Sequence, residues 1–311
     1  VVSETNRGKK QKVLNFGSLN IDYVYDVEHI NREGETQQSK ARHVYCGGKG
    51  LNQSLALKKA GVSVYQAGAV GADDSDILIS LLDENKIDTT FISRKAVASG
   101  HAIIQRDADG KNSILLFGGA NMQIEPNEID AVLLNFDQGD LLILQNEISE
   151  MSYLMTRASE KGMTIVFNPS PFDSSVLKYP LDAVGYLILN EHEAEAICDF
   201  KGSSEVHAET LAGRYAKTKI VLTMGENGVL YRDGDSRLYV PALKVKAVDT
   251  TAAGDTFTGY FIASLLRNLD VQTALETATR ASAIAVTRPG AAPSIPEAAE
   301  VFSDASPLVN G

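Results

Sequence analysis

Six short apolar runs punctuate the chain: "KVLNFGSLN" (12–20), "VYQAGAVG" (64–71), "LLILQNE" (141–147), "TIVFNPSP" (164–171), "YLILNE" (186–191) and "KIVLTMGENG" (219–228). Each is short and ends in polar or turn-forming residues, as expected of strands buried on both faces. Between most of them, apolar residues recur at three- and four-residue spacing. This predicts helices over 51–60, 75–86, 151–161 and 205–217, and one from 192 through 197 and beyond. Another is expected where Phe257, Tyr260, Phe261, Leu265 and Leu266 share one face. The alternation predicts a single α/β domain over 1–311: a doubly wound, mostly parallel sheet with helices on both faces. Two segments break this rhythm. Residues 23–45 and 97–119 alternate apolar and polar positions, and "DADG" at 107–110 is a hairpin signal. They are expected to form a small β-sheet over the crevice, acting as a lid, or as a subunit contact if its outer face is apolar.

Composition narrows the partners. The 311 residues are 44% hydrophobic and 22% charged, with a formal net charge of −11. Such an acidic chain is not built to bind nucleic acid or a membrane surface in general, although local N–H groups and a few cations can still hold an anionic small molecule. Two cysteines, Cys46 and Cys198, make no disulfide framework and point to a reducing compartment. The start "NRGKKQK" (6–12) is basic, but Asn15, Gly17, Ser18 and Asn20 interrupt the apolar run behind it. No signal peptide or spanning segment is read, and a soluble cytoplasmic protein is expected.

The polar residues of the predicted strands collect at their carboxyl ends: Asn20 and Asp22, Asn146 and Glu147, Asn168, Asn190, Thr223 and Gly225, then Asp249. In an open α/β sheet those ends converge on the ligand crevice. Four stretches carry candidate chemistry. "AVDTTAAGDTFTGYF" (247–261) opens a helix with small residues and puts Asp255 beside them. Its free N–H groups suit an anion, and Asp255 suits a hydroxyl attacking that anion; alternatively, Asp255 only stabilises the helix dipole. No Walker sequence occurs here. "CGGKGLNQSLAL" (46–57) runs glycines into a helix, where Lys49 and Asn52 can meet a polyol, or where the turn is merely flexible. "LTMGENGV" (222–229) ends a strand in a glycine turn. "NEHEAE" (190–195) puts Asn190 and Glu193 three apart, fit for a water-rich metal shell or for a helix cap.

"CGGKGLNQ" and "AVDTTAAGDTFTG" resemble the two signature segments of the ribokinase family of sugar kinases, also called the PfkB family. "NPSP", "NEHEAE", "LTMGENG" and "IAVTRPGAAPSIP" follow in matching order, so the resemblance spans nearly the whole chain. It implies ATP-dependent phosphorylation of a sugar's primary hydroxyl. Asp255 would be the base, and the N–H groups of Ala252, Ala253 and Gly254 the anion hole. Asn20, Asp22, Gly48, Lys49, Asn52 and Glu147 match sugar-holding positions, and this set leans towards ribose. Asn190 and Thr223, Met224, Gly225, Glu226, Asn227 and Gly228 match the nucleotide site. Glu193 matches the position that organises Mg²⁺ through water. Asp249, the Thr251 backbone, Ala285, Arg288, Gly290 and Ser294 match a monovalent-cation site, normally K⁺. The two insertions match a lid that also pairs subunits, implying a homodimer. Leu51 stands where a small residue is common, and Thr279 where the adenine pocket often has a larger polar side chain. Another pentose, a fructose derivative or a nucleoside remains an alternative acceptor.

Overall fold

The chain builds its main sheet outward from the first strand in both directions. The structure, a computed structural model, describes residues 11–303, so most of the basic start lies outside the described residues. The first part runs β1 (Val13–Phe16), β2 (Asn20–Asp26), β3 (Ala41–Gly47), α1 (Lys49–Lys59), β4 (Tyr65–Gly71), α2 (Asp76–Glu84) and β5 (Asp88–Lys95). Then come β6 (Gly100–Arg106), β7 (Asn112–Phe117), α3 (Pro126–Leu133), β8 (Leu141–Gln145), α4 (Met151–Glu160) and β9 (Thr164–Asn168). Next follow β10 (Val184–Asn190), α5 (Glu191–Cys198), α6 (Ser204–Arg214), β11 (Lys219–Thr223), β12 (Val229–Asp233) and β13 (Ser236–Val240). Helices α7 (Ala253–Leu266), α8 (Val271–Val286) and α9 (Ala298–Phe302) close the sequence.

The nine-stranded sheet has the order β13-β12-β11-β10-β9-β8-β1-β4-β5. Strand β1 pairs in parallel with β4 on one side and β8 on the other, so the winding direction reverses there. That switch point opens a crevice at the strand carboxyl ends. Alternation within the buried strands sorts side chains into two layers. Ile143, Val166, Ile188 and Val221 pack with α1, α7 and α8. Their neighbours Leu142, Leu144, Ile165, Phe167, Leu187 and Leu222 pack with α3, α4, α5 and α6. Apolar surface on both faces of one sheet is why these strands read as continuous runs. Edge strand β5 ("DTTFISRK") and the β12–β13 hairpin mix polar and apolar positions and were not among those runs.

The small sheet has the order β3-β2-β6-β7. Its β6–β7 hairpin turns at "DADG", where Asp107 Oδ1 accepts the N–H groups of Asp109 and Lys111 and Gly110 adopts φ +80°. Two boundaries differ from expectation. The run 12–20 divides: β1 ends at Phe16, the chain crosses at Gly17–Leu19, and Asn20 starts β2. Asn20 and Asp22 therefore belong to the small sheet and not to the end of a core strand. Within 23–45 only the ends are strand, since 27–40 form the connection between β2 and β3. Gly17 permits the crossing, because a Cβ there would lie 2.1 Å from Gln145 Oε1.

Candidate active site

Helix α7 begins at the crevice. Ala252 precedes it in a left-handed conformation, φ +59°, which few side chains other than glycine adopt readily. This tight entry exposes the first amides of the helix. The Ala253 N–H is drawn into a turn with the Thr250 carbonyl at 3.2 Å. The Ala253 amide is therefore partly engaged within the turn, whereas Ala252 and Gly254 flank it at the helix start. Gly254 has open space where a side chain would stand. Asp255 is 5% exposed. Its Oδ2 accepts from Asn52 Nδ2 at 3.1 Å and its Oδ1 from Gln53 Nε2 at 2.9 Å.

The partners come from the glycine run. Gly48 caps α1 at φ +91°, and Gly50 crosses the β1–β2 connection so closely that a Cβ would sit 2.4 Å from Ser18 N. This contact presses the start of α1 into the crevice. Glu147 accepts the Ser18 hydroxyl and, at 3.0 Å, the Lys49 amide. Burial raises the Glu147 pKa above the ordinary carboxylate range, partly offset by Ser18 and Lys49. Burial opposes the Lys49 ammonium, but the carboxylates of Asp255, Glu147 and Glu193 prevail and hold its pKa above the usual lysine value. Asp22 is pushed up to about 7, by burial first and then by Glu147. Asn20 uses its side-chain carbonyl to accept from Asn121 Nδ2 at 2.8 Å. Asn52 Oδ1 is buried with no partner. An orphaned acceptor of this kind fits a sugar hydroxyl.

One cavity of about 490 Å³ gathers Asn20, Asp22, Gly48, Lys49, Asn52, Glu147, Asn190, Glu193, Thr223 and the 251–255 turn. Ala102, Ile104, Ile114 and Leu116 of the small sheet form its apolar wall. The segment Met224–Gly228 does not line it; Gly225–Asn227 form a short 3-10 turn, and Gly228 at φ +93° packs on the Val240 carbonyl. A second cavity of about 660 Å³, beside β13 and α8, is lined by Thr279 with Pro241, Leu243, Thr277, Arg280 and Phe302. Asn190 and Glu193 do form a helix cap: each side chain accepts the other's backbone N–H. Both still face the main cavity, so the two sequence readings are compatible.

Asp249, Ala285, Arg288, Gly290 and Ser294 lie outside the cavity lining. Asp249 ties two loops together, accepting the Thr251 amide at 2.9 Å and the Gly290 amide at 2.9 Å. Burial raises its pKa, but these donors hold it below the ordinary range. The Arg288 side chain pairs instead with Glu300. A carboxylate with backbone carbonyls is donor chemistry suited to a monovalent cation. No cluster of three acidic, His or Cys side chains that could hold a metal occurs among the described residues. The cavity lining holds four carboxyl groups and one ammonium, which suits a polyphosphate accompanied by Mg²⁺ held largely by phosphate and water. Gln53, Gln145 and Asn121 were missed in the sequence; a glutamine inside "LLILQNE" was the available signal.

A doubly wound α/β fold with a buried acid at a helix tip, facing a cavity lined by both donors and acceptors, is an arrangement suited to a small-molecule kinase. The pfkB family carbohydrate kinase profile matches residues 10–298, and the chain belongs to that family of sugar kinases. It is 31% identical to the ribokinase of Staphylococcus aureus (strain COL), across 93% of this chain and 98% of that protein. It is 32% identical to the deoxyribokinase of Salmonella typhi, across 90% and 94%. The solved ribokinase of Thermotoga maritima superposes with a TM-score of 0.84 at 33% identity, covering 94% and 98%. That of Arabidopsis thaliana, complexed with ribose and ATP, gives 0.82 at 25% identity, covering 94% and 98%. No described helix is long and apolar enough to cross a membrane.

Proposed function

We propose that the protein is a ribokinase, transferring the γ-phosphoryl group of ATP to the primary hydroxyl of D-ribose and yielding ribose 5-phosphate and ADP. The observation that carries this reading is the position of Asp255, whose buried carboxylate shares one cavity with Gly254, Asn52, Lys49 and Asp22. Asn20, Asp22, Asn52 and Glu147 offer both donors and acceptors, which hold the sugar's hydroxyls in one orientation. Asp255 receives the proton of the attacking hydroxyl as its oxygen bonds to phosphorus and the bond from phosphorus to the ADP oxygen breaks. The proton leaves late, after bond formation to phosphorus has begun. The amides of Ala252 and Gly254, with part of the Ala253 amide, face the equatorial oxygens. Lys49 adds positive charge.

The nucleotide reading places phosphates near Asn190 and Thr223, and adenine beside Thr279; the Gly225–Gly228 turn lies between them in sequence. Mg²⁺ would neutralise the polyphosphate, with Glu193 and Asn190 holding its waters. K⁺ would be held by Asp249 and the backbones of Thr251, Ala285, Arg288, Gly290 and Ser294, stiffening the loop before α7. The small sheet acts as the lid that excludes water. Its outer face carries Ile103 and Leu115, paired across β6–β7, with Leu115 67% exposed, and supports a homodimer formed through the lid.

The deciding experiment is Asp255→Ala assayed by ADP release. Turnover is expected to fall roughly 10²–10⁴-fold with ribose binding retained, and near-normal turnover would refute the assignment. A panel of ribose, deoxyribose, fructose derivatives and nucleosides tests the acceptor. Higher kcat/KM for any compound other than ribose would replace this reading with another kinase of the family.

A further inference from the structure

Behind Asp255 lies a chain of polar side chains that sugar recognition does not require. Gln53 Nε2 donates to Asp255 Oδ1, while Gln53 Oε1 accepts from Gln145 Nε2 at 2.7 Å. The same Gln145 amide donates to Asn15 Oδ1 at 2.9 Å, and Asn15 Nδ2 donates to Ser54 Oγ at 2.7 Å. Ser54 donates to Gln66, whose amide donates to the carbonyls of Gly17 and Ala67. Asn15, Gln53, Ser54, Gln66 and Gln145 are each 0% exposed. Buried amides are costly unless satisfied, and here Gln145 Oε1 is left buried with no partner, so apolar side chains would fill this space at less cost.

The direction of the chain is informative. A glutamine amide has one donor end and one acceptor end. Because Gln145 donates to Gln53 Oε1, the NH₂ end of Gln53 is turned towards Asp255. Asn52 and Gln53, adjacent in α1, thus clamp the two carboxylate oxygens from one helix. One turn further along, Gly259 of α7 meets Ala56 of α1 so closely that a Cβ would lie 2.4 Å from Ala56 Cβ. This contact fixes the distance between the helices that carry the clamp and the acid.

We infer that Gln53, oriented by Gln145, is a positioning residue that holds the Asp255 carboxylate in the one orientation that receives the sugar's proton. The inference rests on the assignment of Asp255 as base. Neither glutamine lines the cavity, so their effect runs through Asp255. Displacement of a reacting group by about 1 Å costs on the order of 10²-fold, so loss of the clamp falls on kcat and leaves the sugar's own contacts in place.

The test compares Gln53→Met, Gln53→Glu, Gln145→Met, Ser54→Ala and Asp255→Ala, with ribose and ATP as substrates and melting curves recorded for each. Gln53→Met is expected to lower kcat roughly 10–100-fold, with KM for ribose changed less than about threefold. Gln145→Met, which frees the Gln53 amide to rotate, gives a smaller loss of the same kind. Should Gln53→Met not fold, Gln145→Met and the isosteric Gln53→Glu carry the test. In Gln53→Glu, only a protonated side chain can donate to Asp255, so its activity relative to the parent falls as pH rises from about 6 to about 8. Ser54→Ala removes a distant link, and is expected to lower the melting temperature but leave kcat unchanged. A kcat for folded Gln53→Met within about twofold of the parent, a Gln53→Glu ratio independent of pH, or an equal kcat loss in Ser54→Ala would each overturn the inference. If Asp255→Ala retained turnover, the base assignment would fall; if it collapsed while Gln53→Met stayed active, only the positioning role would fall.

Discussion

Titrating sugar binding between about pH 6 and about pH 8 probes Asp22, whose buried neighbour Glu147 is also held above the ordinary carboxylate range. The Asp22 pKa is pushed from 3.8 to about 7 because the carboxyl is buried beside Glu147. A sugar hydroxyl that donates to Asp22 selects the ionised form. The apparent affinity then scales with the ionised fraction. That fraction is about nine-tenths one pH unit above the pKa and about one-tenth one unit below it. The dissociation constant for ribose should therefore rise roughly tenfold from about pH 8 to about pH 6, and binding at about pH 7 should release about half a proton. Because the chain has no tryptophan, calorimetry in two buffers of different ionisation enthalpy is the suitable assay. Asp22→Asn should bind more weakly and without the pH dependence. Stability moves the other way. A carboxyl whose native pKa lies above its unfolded value binds its proton more tightly when folded, so its contribution is largest below about pH 4 and is lost as pH rises to about 7. The loss is on the order of 4 kcal/mol. Asp22→Asn should accordingly melt above the parent at about pH 8, and the gap should close towards about pH 4. A ribose affinity unchanged across the range, with no proton released, would refute the reasoning.

Three other outcomes are expected. Gly259→Ala forces α1 and α7 apart, so it should destabilise by about 1–3 kcal/mol and lower kcat; an unchanged melting temperature would count against the close contact at Ala56. Leu115→Glu puts a charge on the exposed lid face, so a parent dimer should become monomeric in sedimentation, and a monomeric parent would end the dimer proposal. Replacing K⁺ with Na⁺ should lower turnover, and equal rates would argue against the cation loop around Asp249 and Gly290.

Much of the site was legible because its groups sit at positions that local rules mark. A glycine run entering a helix, polar residues closing apolar strands and an acid after Ala-Ala-Gly are each visible within a dozen residues. The alternation in 97–119 likewise foretold the β6–β7 hairpin, since a two-residue repeat and a turn are local features. Less legible were the edge strand β5, where polar positions dilute the apolar signal, and the division of 12–20, which depends on Gly17 meeting Gln145.

By itself, the sequence determined the strand–helix alternation, the two insertions and the polar and small residues at the strand ends and the α7 start, because short-range periodicity and backbone freedom dictate them. Only the tertiary structure decided that Ala102, Ile104, Ile114 and Leu116 wall the cavity, that the Ala253 amide is shared, and that the Asp255 carboxylate is clamped from α1. Gln53 and Asp255 are 202 residues apart. Which end of a buried amide faces a carboxylate is set by packing across the sheet and by every other donor in reach, and no local pattern encodes that.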